Sequence, residues 1–183
     1  MAKTYPITTK DEITKIESLL ELTSPMAYTM WILGSTTGYR ISDLSELTVN
    51  DVKGSRLSLV EKKTKKVRTV PVAPKLKRTL NKWIAKMGLS DNDFLFPSSK
   101  KIGSALSIRR FQQIFKKVSE IVATSYKFST HSMRKTFAYN LYKATNNIAL
   151  VMESLNHSSQ EITLKYLCAN EIEGDIAIMS LYA

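Results

Sequence analysis

Cysteine is almost missing from this chain of 183 residues: Cys168 stands alone. One thiol cannot build an internal disulfide framework, and such scarcity fits a reducing compartment. Long apolar runs are missing too, so no stretch suffices to span a bilayer. The start, Met1-Ala2-Lys3-Thr4-Tyr5-Pro6, carries no apolar signal region. These absences lead us to expect a cytoplasmic protein with no membrane partner. Acidic residues are few, 16 against 27 lysines and arginines, which leaves a net charge of +11. The expected partner is therefore a polyanion. Internal repeats, low-complexity tracts and interdomain linkers are also lacking. With 43% hydrophobic and 23% charged residues, the chain reads as one folded domain, 1–183, with a core of its own.

Histidine is scarce as well, and its placement is informative. Both histidines fall within the stretch 130–166, where His131 leads His131-Ser132-Met133-Arg134 and His157 precedes Tyr166 by nine residues. His131 and Arg134, three apart on a helix, share a face. An imidazole moves protons near neutral pH, and a guanidinium offers a fork of donors that matches a phosphate. A tyrosine phenol can act as a nucleophile. Together the three residue types suggest phosphoryl chemistry on a charged backbone.

The hydrophobic pattern places these residues. Thr9-Lys10-Asp11-Glu12 reads as a capping box before a helix with Ile13, Ile16, Leu19 and Leu20 inward. Ser24-Pro25 starts a second helix, from Met26 to about Ser35, that is apolar nearly all round and ends at Gly38. A short helix follows Arg40, with Ile41, Leu44 and Leu47 inward. From Val49 the period changes. Val52, Leu57 and Leu59, then Val67, Val70 and Val72, predict an antiparallel sheet of three strands, the last two joined by the loop Lys62-Lys63-Thr64-Lys65-Lys66. Pro74 begins a helix that Gly88 stops. The stretch 106–123 is the clearest amphipathic helix. Phe111, Ile114, Phe115, Val118 and Ile121 are expected inward, with Arg109, Arg110, Lys116 and Lys117 on an outer face suited to phosphate. A helix over 131–143, a second capped by Asn146 or Asn147, and a third carrying Tyr166 complete an α+β, mainly helical domain with a small sheet at one edge.

Several spaced motifs, in order, resemble the catalytic domain of the tyrosine recombinases, the phage integrase family. Thr37-Gly38-Tyr39-Arg40-Ile41-Ser42-Asp43-Leu44 is similar to the first arginine box. His131-Ser132-Met133-Arg134 resembles the second box and Leu155-Asn156-His157-Ser158-Ser159 the third, with Tyr166 at the nucleophile position. Lys63, eight residues before Pro71, resembles the hairpin lysine, and Asn156 stands where glycine is common.

The resemblance implies a site-specific DNA recombinase or integrase. Tyr166 would attack a phosphodiester to give a 3′-phosphotyrosine bond and a free 5′-hydroxyl. Arg40 and Arg134 would hold the non-bridging oxygens, Lys63 would protonate the departing oxygen, His131 would accept a proton and His157 would donate to the phosphate. Asp43 would support the site from behind. Lys62, Lys65, Lys66, Arg109, Arg110, Lys116 and Lys117 would contact DNA. No cofactor, neither metal nor ATP, is implied; His131, His157 and Cys168 fit no common zinc spacing and lack an obvious fourth ligand. The implied partners are double-stranded DNA, further copies of the chain in a tetramer on that DNA, and accessory DNA-bending proteins. Family members usually carry an additional N-terminal helical domain that closes a clamp, and 1–183 reads as the catalytic domain without it. Two other readings stay open: relaxation of DNA as by a type IB topoisomerase, and a non-catalytic DNA-binding module. All six implied catalytic residues are present, which favours an enzyme.

Overall fold

Thr9 starts the first helix as its sequence suggests. Its hydroxyl accepts from the Glu12 N–H at 3.2 Å and donates to the Glu12 carboxylate at 2.9 Å, capping α1 (Lys10–Thr23). Ser24 then caps α2 (Pro25–Thr37) through the Ala27 N–H, with proline in the first turn. The computed structural model describes residues 4–122 and 128–167. Helix α2 buries Ala27, Thr29, Met30, Trp31, Ile32, Leu33, Gly34 and Thr37. It is the rod against which α1, α5 (Pro74–Met87), α6 (Ile108–Val122) and α7 (Thr130–Thr145) pack. Gly38 ends it at φ +68°, a left-handed conformation that suits glycine. The chain then turns through Tyr39 and Arg40 into α3 (Ile41–Leu44), with Ile41, Leu44 and Leu47 buried as expected.

Among the described residues the sheet has two strands, β1 (Arg56–Val60) and β2 (Val67–Pro71), paired antiparallel with Leu57 opposite Val70 and Val60 opposite Val67. The first of the three expected strands is instead a helical turn, α4 (Val49–Val52). The Asp51 carboxylate accepts from the Thr48 N–H at 2.7 Å and from its hydroxyl at 2.8 Å, closing that turn. The neighbouring backbone pairs elsewhere: Val49 N–H donates to Asp93 O, Asn50 N–H to Asp91 O, and Leu95 N–H to Leu47 O. These groups are satisfied by the stretch 91–95, so nothing drives them to the edge of β1.

Helix α6 differs from expectation at one position. Phe111, Phe115 and Val118 are buried with Ile114 and Val122 packed beside them, but Ile121 is exposed. The buried stripe follows 111, 115, 118 and 122, and Ile121 lies one step off it. Arg109, Arg110, Lys116 and Lys117 point to solvent as read. Asn146 and Asn147 both serve as caps: Asn146 closes α7 in the left-handed conformation, and Asn147 opens α8 (Ile148–Ser154) through the Leu150 N–H. Helix α9 (Gln160–Leu167) carries Tyr166. Tyr126, Cys168 and Tyr182 lie outside the described residues, as does the tail beyond Leu167. Among the described residues no helix is long and apolar enough to cross a membrane.

Among the described residues the interior forms two apolar clusters. The larger one surrounds α2 and takes Met133 from α7; the smaller joins Ala138, Val151, Leu155 and Leu167 where α7, α8 and α9 meet. Helix α7 therefore belongs to both, and it approaches α2 over two glycines. A Cβ on Gly34 would stand 2.6 Å from the Met133 sulfur, and one on Gly38 would stand 2.3 Å from the Phe137 ring. This close approach brings the end of α2 to Arg134.

Candidate active site

Arg134 leaves the first turns of α7 on its inner side and is 1% exposed. Its Nη1 donates to Gly38 O at 2.8 Å and to Glu61 Oε1 at 3.2 Å, while Nη2 donates to Leu155 O at 2.6 Å. Gly38 and Leu155 end α2 and α8, where helix carbonyls lack partners of their own and carry partial negative charge. The buried Arg134 Nε–H finds no partner among the described residues. Burial, then repulsion from Arg40, lowers Arg134 to about 10, so it stays charged at neutral pH.

Arg40 approaches from the entrance of α3 and donates from Nη1 to the same Glu61 oxygen at 3.0 Å. Two cations thus converge on one carboxylate that is itself wholly buried. Burial alone would push the Glu61 carboxyl up, but the Asn156 amide, Arg134, Arg40 and the Thr64 hydroxyl together hold it below its ordinary value.

Glu61 closes β1 and opens the lysine loop, whose turn is tied by Glu61 N–H to Lys66 O at 3.0 Å and Lys65 N–H to Glu61 O at 2.8 Å. The buried Asp43 holds the same loop from below, its Oδ1 accepting from the Lys62 N–H at 3.0 Å. Lys63, Lys65 and Lys66 project into solvent, whereas Lys62 pairs with Glu46 at 2.6 Å.

The third box follows α8. Asn156 adopts φ +51°, a left-handed conformation that asparagine tolerates, which accounts for a non-glycine residue there. Its Nδ2 donates to Glu61 Oε2 at 2.7 Å. His157 lies next to it, its Nδ1 3.0 Å from the buried Thr163 hydroxyl. Burial, then Arg134 and Arg40, depress His157 to about 4; Glu61 opposes them and Lys63 adds to the depression. The Tyr166 ring lies 4.6 Å from the His157 ring, with Arg134 Cζ 5.8 Å and Lys135 Nζ 5.7 Å from its centre. His131, at the start of α7, keeps its side chain open to solvent. Partial withdrawal from water, then Lys135, Arg134 and Arg40, lower it below its ordinary value.

Arg40, Arg134, His157 and Tyr166 therefore meet in one cluster, with Lys63 and His131 at its rim. Of the exposed α6 cations, Lys116 pairs along its own helix with Glu120 at 3.9 Å. Tyr142 packs against the smaller apolar cluster.

Three contributors escaped the sequence reading. Glu61 is the single acid in 52–90, set at the head of a lysine run, and that isolation was its one signal. Arg68, buried on β2, has its guanidinium 3.9 Å from the Tyr39 ring centre and donates to Thr37 O and Ser154 O. Thr163, one turn before Tyr166, carried no signal.

The sequence matches the phage integrase family over residues 7–172. The probable integrase/recombinase YoeC of Bacillus subtilis is 32% identical over 169 residues, covering 91% of this chain and 90% of its own length. Among solved structures, XerH recombinase bound to a palindromic difH substrate in a post-cleavage complex superposes with TM-score 0.76 at 19% identity, over 100% of this chain and 54% of XerH. A lambda integrase tetramer bound to a Holliday junction gives 0.71 at 21% identity, over 91% of this chain and 49% of the integrase. The chain thus spans about half the length of these two recombinases, and at such identities the likeness shows a shared fold. The residues matched cover nearly the whole sequence, and the chain belongs to the phage integrase family.

Proposed function

We propose that this chain breaks and rejoins double-stranded DNA as a site-specific recombinase, through a covalent 3′-phosphotyrosine link at Tyr166. The observation that carries this reading is the convergence of the Arg40 and Arg134 guanidiniums beside the His157 and Tyr166 rings. The Tyr166 oxygen attacks the scissile phosphorus and the bond to the 5′-oxygen breaks. His131 takes the phenolic proton, and Lys63 returns one to the leaving oxygen. Arg40 and Arg134 stabilise the charge gathering on the non-bridging oxygens, with the unpartnered Arg134 Nε–H as one available donor. Neutral His157 carries a single ring hydrogen. The Thr163 hydroxyl, 3.0 Å from Nδ1, holds the ring in place with its Nε2 edge turned to the phosphate.

One phosphodiester is exchanged for another of similar energy, so the exchange calls for no cofactor. The exposed Lys65 and Lys66, and the α6 residues Arg109, Arg110, Lys116 and Lys117, supply backbone contacts to DNA; Lys62 joins them once released from Glu46. The XerH complex with difH and the lambda integrase tetramer on a Holliday junction support duplex DNA and further copies of the chain as partners. Incubation with a pool of nicked duplexes tests the reading. The wild type should yield a protein–DNA adduct that resists denaturation, and Tyr166→Phe should yield none. An adduct persisting in Tyr166→Phe would overturn the assignment.

A further inference from the structure

Glu61 has no part in the chemistry just described, yet it is wholly buried and charged at the centre of the cluster. An isolated carboxylate is expensive to bury, so its partners must compensate fully. Its Oε1 accepts from Arg40 at 3.0 Å and Arg134 at 3.2 Å; its Oε2 accepts from Asn156 Nδ2 at 2.7 Å and Thr64 Oγ1 at 3.0 Å. Four donors saturate the lone-pair sites of a carboxylate. Each comes from a different segment: the entrance of α3, the lysine loop, α7, and the turn after α8.

Two further facts give this arrangement a direction. The guanidiniums of Arg40 and Arg134 repel one another, and a shared anion offsets that repulsion at a defined spacing. With Glu61 the trio carries a net +1, the complement of a single phosphodiester. Oε1 takes one bond from each arginine, while Oε2 ties down the hydroxyl next to Lys63 and the amide next to His157.

We infer that Glu61 is the positioning residue of this site, setting the spacing of the Arg40 and Arg134 guanidiniums against phosphate and registering the Lys63 loop with the third box. This rests on the phosphotransfer reading above. Glu61 acts through the arginines, so its importance must scale with the charge those arginines stabilise. A methylphosphonate at the scissile position replaces one non-bridging oxygen by methyl and removes that charge. Dependence on Glu61 should fall with it, whereas damage to the fold would slow both substrates alike.

The probe is a nicked duplex selected from a randomised pool by covalent capture on the wild-type chain, made with either linkage. Glu61→Gln keeps the shape and removes the charge. It should bind the phosphodiester duplex no more weakly than wild type yet form adduct about 100-fold more slowly. On the methylphosphonate its deficit should shrink below about tenfold. Glu61→Gln combined with Asn156→Asp returns an amide–carboxylate hydrogen bond and a negative charge to the cluster, and should recover most of the loss. Asn156→Gly suits the left-handed backbone and removes one donor from Oε2, so it serves should Glu61→Gln fail to fold. It should lose several-fold on the phosphodiester and little on the methylphosphonate.

Wild-type rates in both Glu61→Gln and Asn156→Gly would overturn the inference, as would equal deficits on the two linkages. A faster adduct in Glu61→Gln would also overturn it, by making the carboxylate a competitor of phosphate. A wild type that captures no duplex would bring down the recombinase reading and this inference with it. Capture without any Glu61 dependence brings down the inference alone.

Discussion

His157 shows how far a buried site can move one residue. Burial, Arg134 and Arg40 hold it at about 4, against about 6.5 for an ordinary histidine, so it is neutral at pH 7. A folded value below the unfolded one means the unfolded chain binds the extra proton. The stability gained by keeping the ring neutral is fully present above about pH 6.5 and is lost as pH falls towards 4, at up to about 1.4 kcal/mol per pH unit. His131, also lowered, contributes in the same direction, while the depressed Glu61 carboxyl gives up its share only at lower pH. We predict a steep fall in melting temperature between pH 6.5 and 4 for the wild type, and a shallower one for His157→Gln. Calorimetry across that range checks it, and identical slopes would refute it. At this scale the sequence was legible where chemistry names the residue: two histidines, two boxed arginines and one spaced tyrosine. Glu61, Arg68 and Thr163 were not, because their roles come from partners distant in the chain. Glu61 and Asn156 are 95 positions apart, and a carboxylate beside four lysines reads locally as an ordinary surface acid.

Among the elements, the approach of α7 to α2 sets the site. Gly34 and Gly38 leave room for Met133 and Phe137, and this closeness lets Gly38 O accept from Arg134. Gly34→Ala would place its Cβ 2.9 Å from the Met133 Cβ, an atom that cannot swing aside. The helices must part by a few tenths of an ångström, so we predict a loss of about 1–3 kcal/mol in chemical denaturation. Adduct formation should slow as well, since Arg134 rides on the displaced helix. An unchanged midpoint would mean that α7 relaxes without cost. Helix boundaries were the legible part of the architecture, because Thr9, Pro25, Gly38, Pro74 and Gly88 act through local backbone chemistry. The first expected strand was misread at Val49–Val52, where a short apolar run fits one turn of helix as well as a strand. What decided it was pairing with 91–95, which no local pattern announces.

For the molecule as a whole, the Tyr166 ring already lies against His157, Arg134 and Lys135 of its own chain. In the proposed reaction one chain would therefore supply both the charge-stabilising arginines and the nucleophile. We predict that mixing Arg40→Ala with Tyr166→Phe gives no more adduct than either variant alone. Recovery of a substantial fraction of wild-type adduct would mean that a neighbouring copy donates its tyrosine.

The bridges made by Arg134 have one more consequence, which concerns timing. That single guanidinium joins positions 38, 61 and 155, and the Ile7 N–H reaches the Thr136 hydroxyl 129 positions away. Contacts so distant form late in folding and cannot form before both ends have been made. A chain still emerging from the ribosome, with α8 and α9 not yet translated, thus has neither Tyr166 nor the closed arginine cluster. On the proposed mechanism it would gain the power to cut DNA only once synthesis has passed the last helix described, so the order of translation itself would keep a half-made chain harmless.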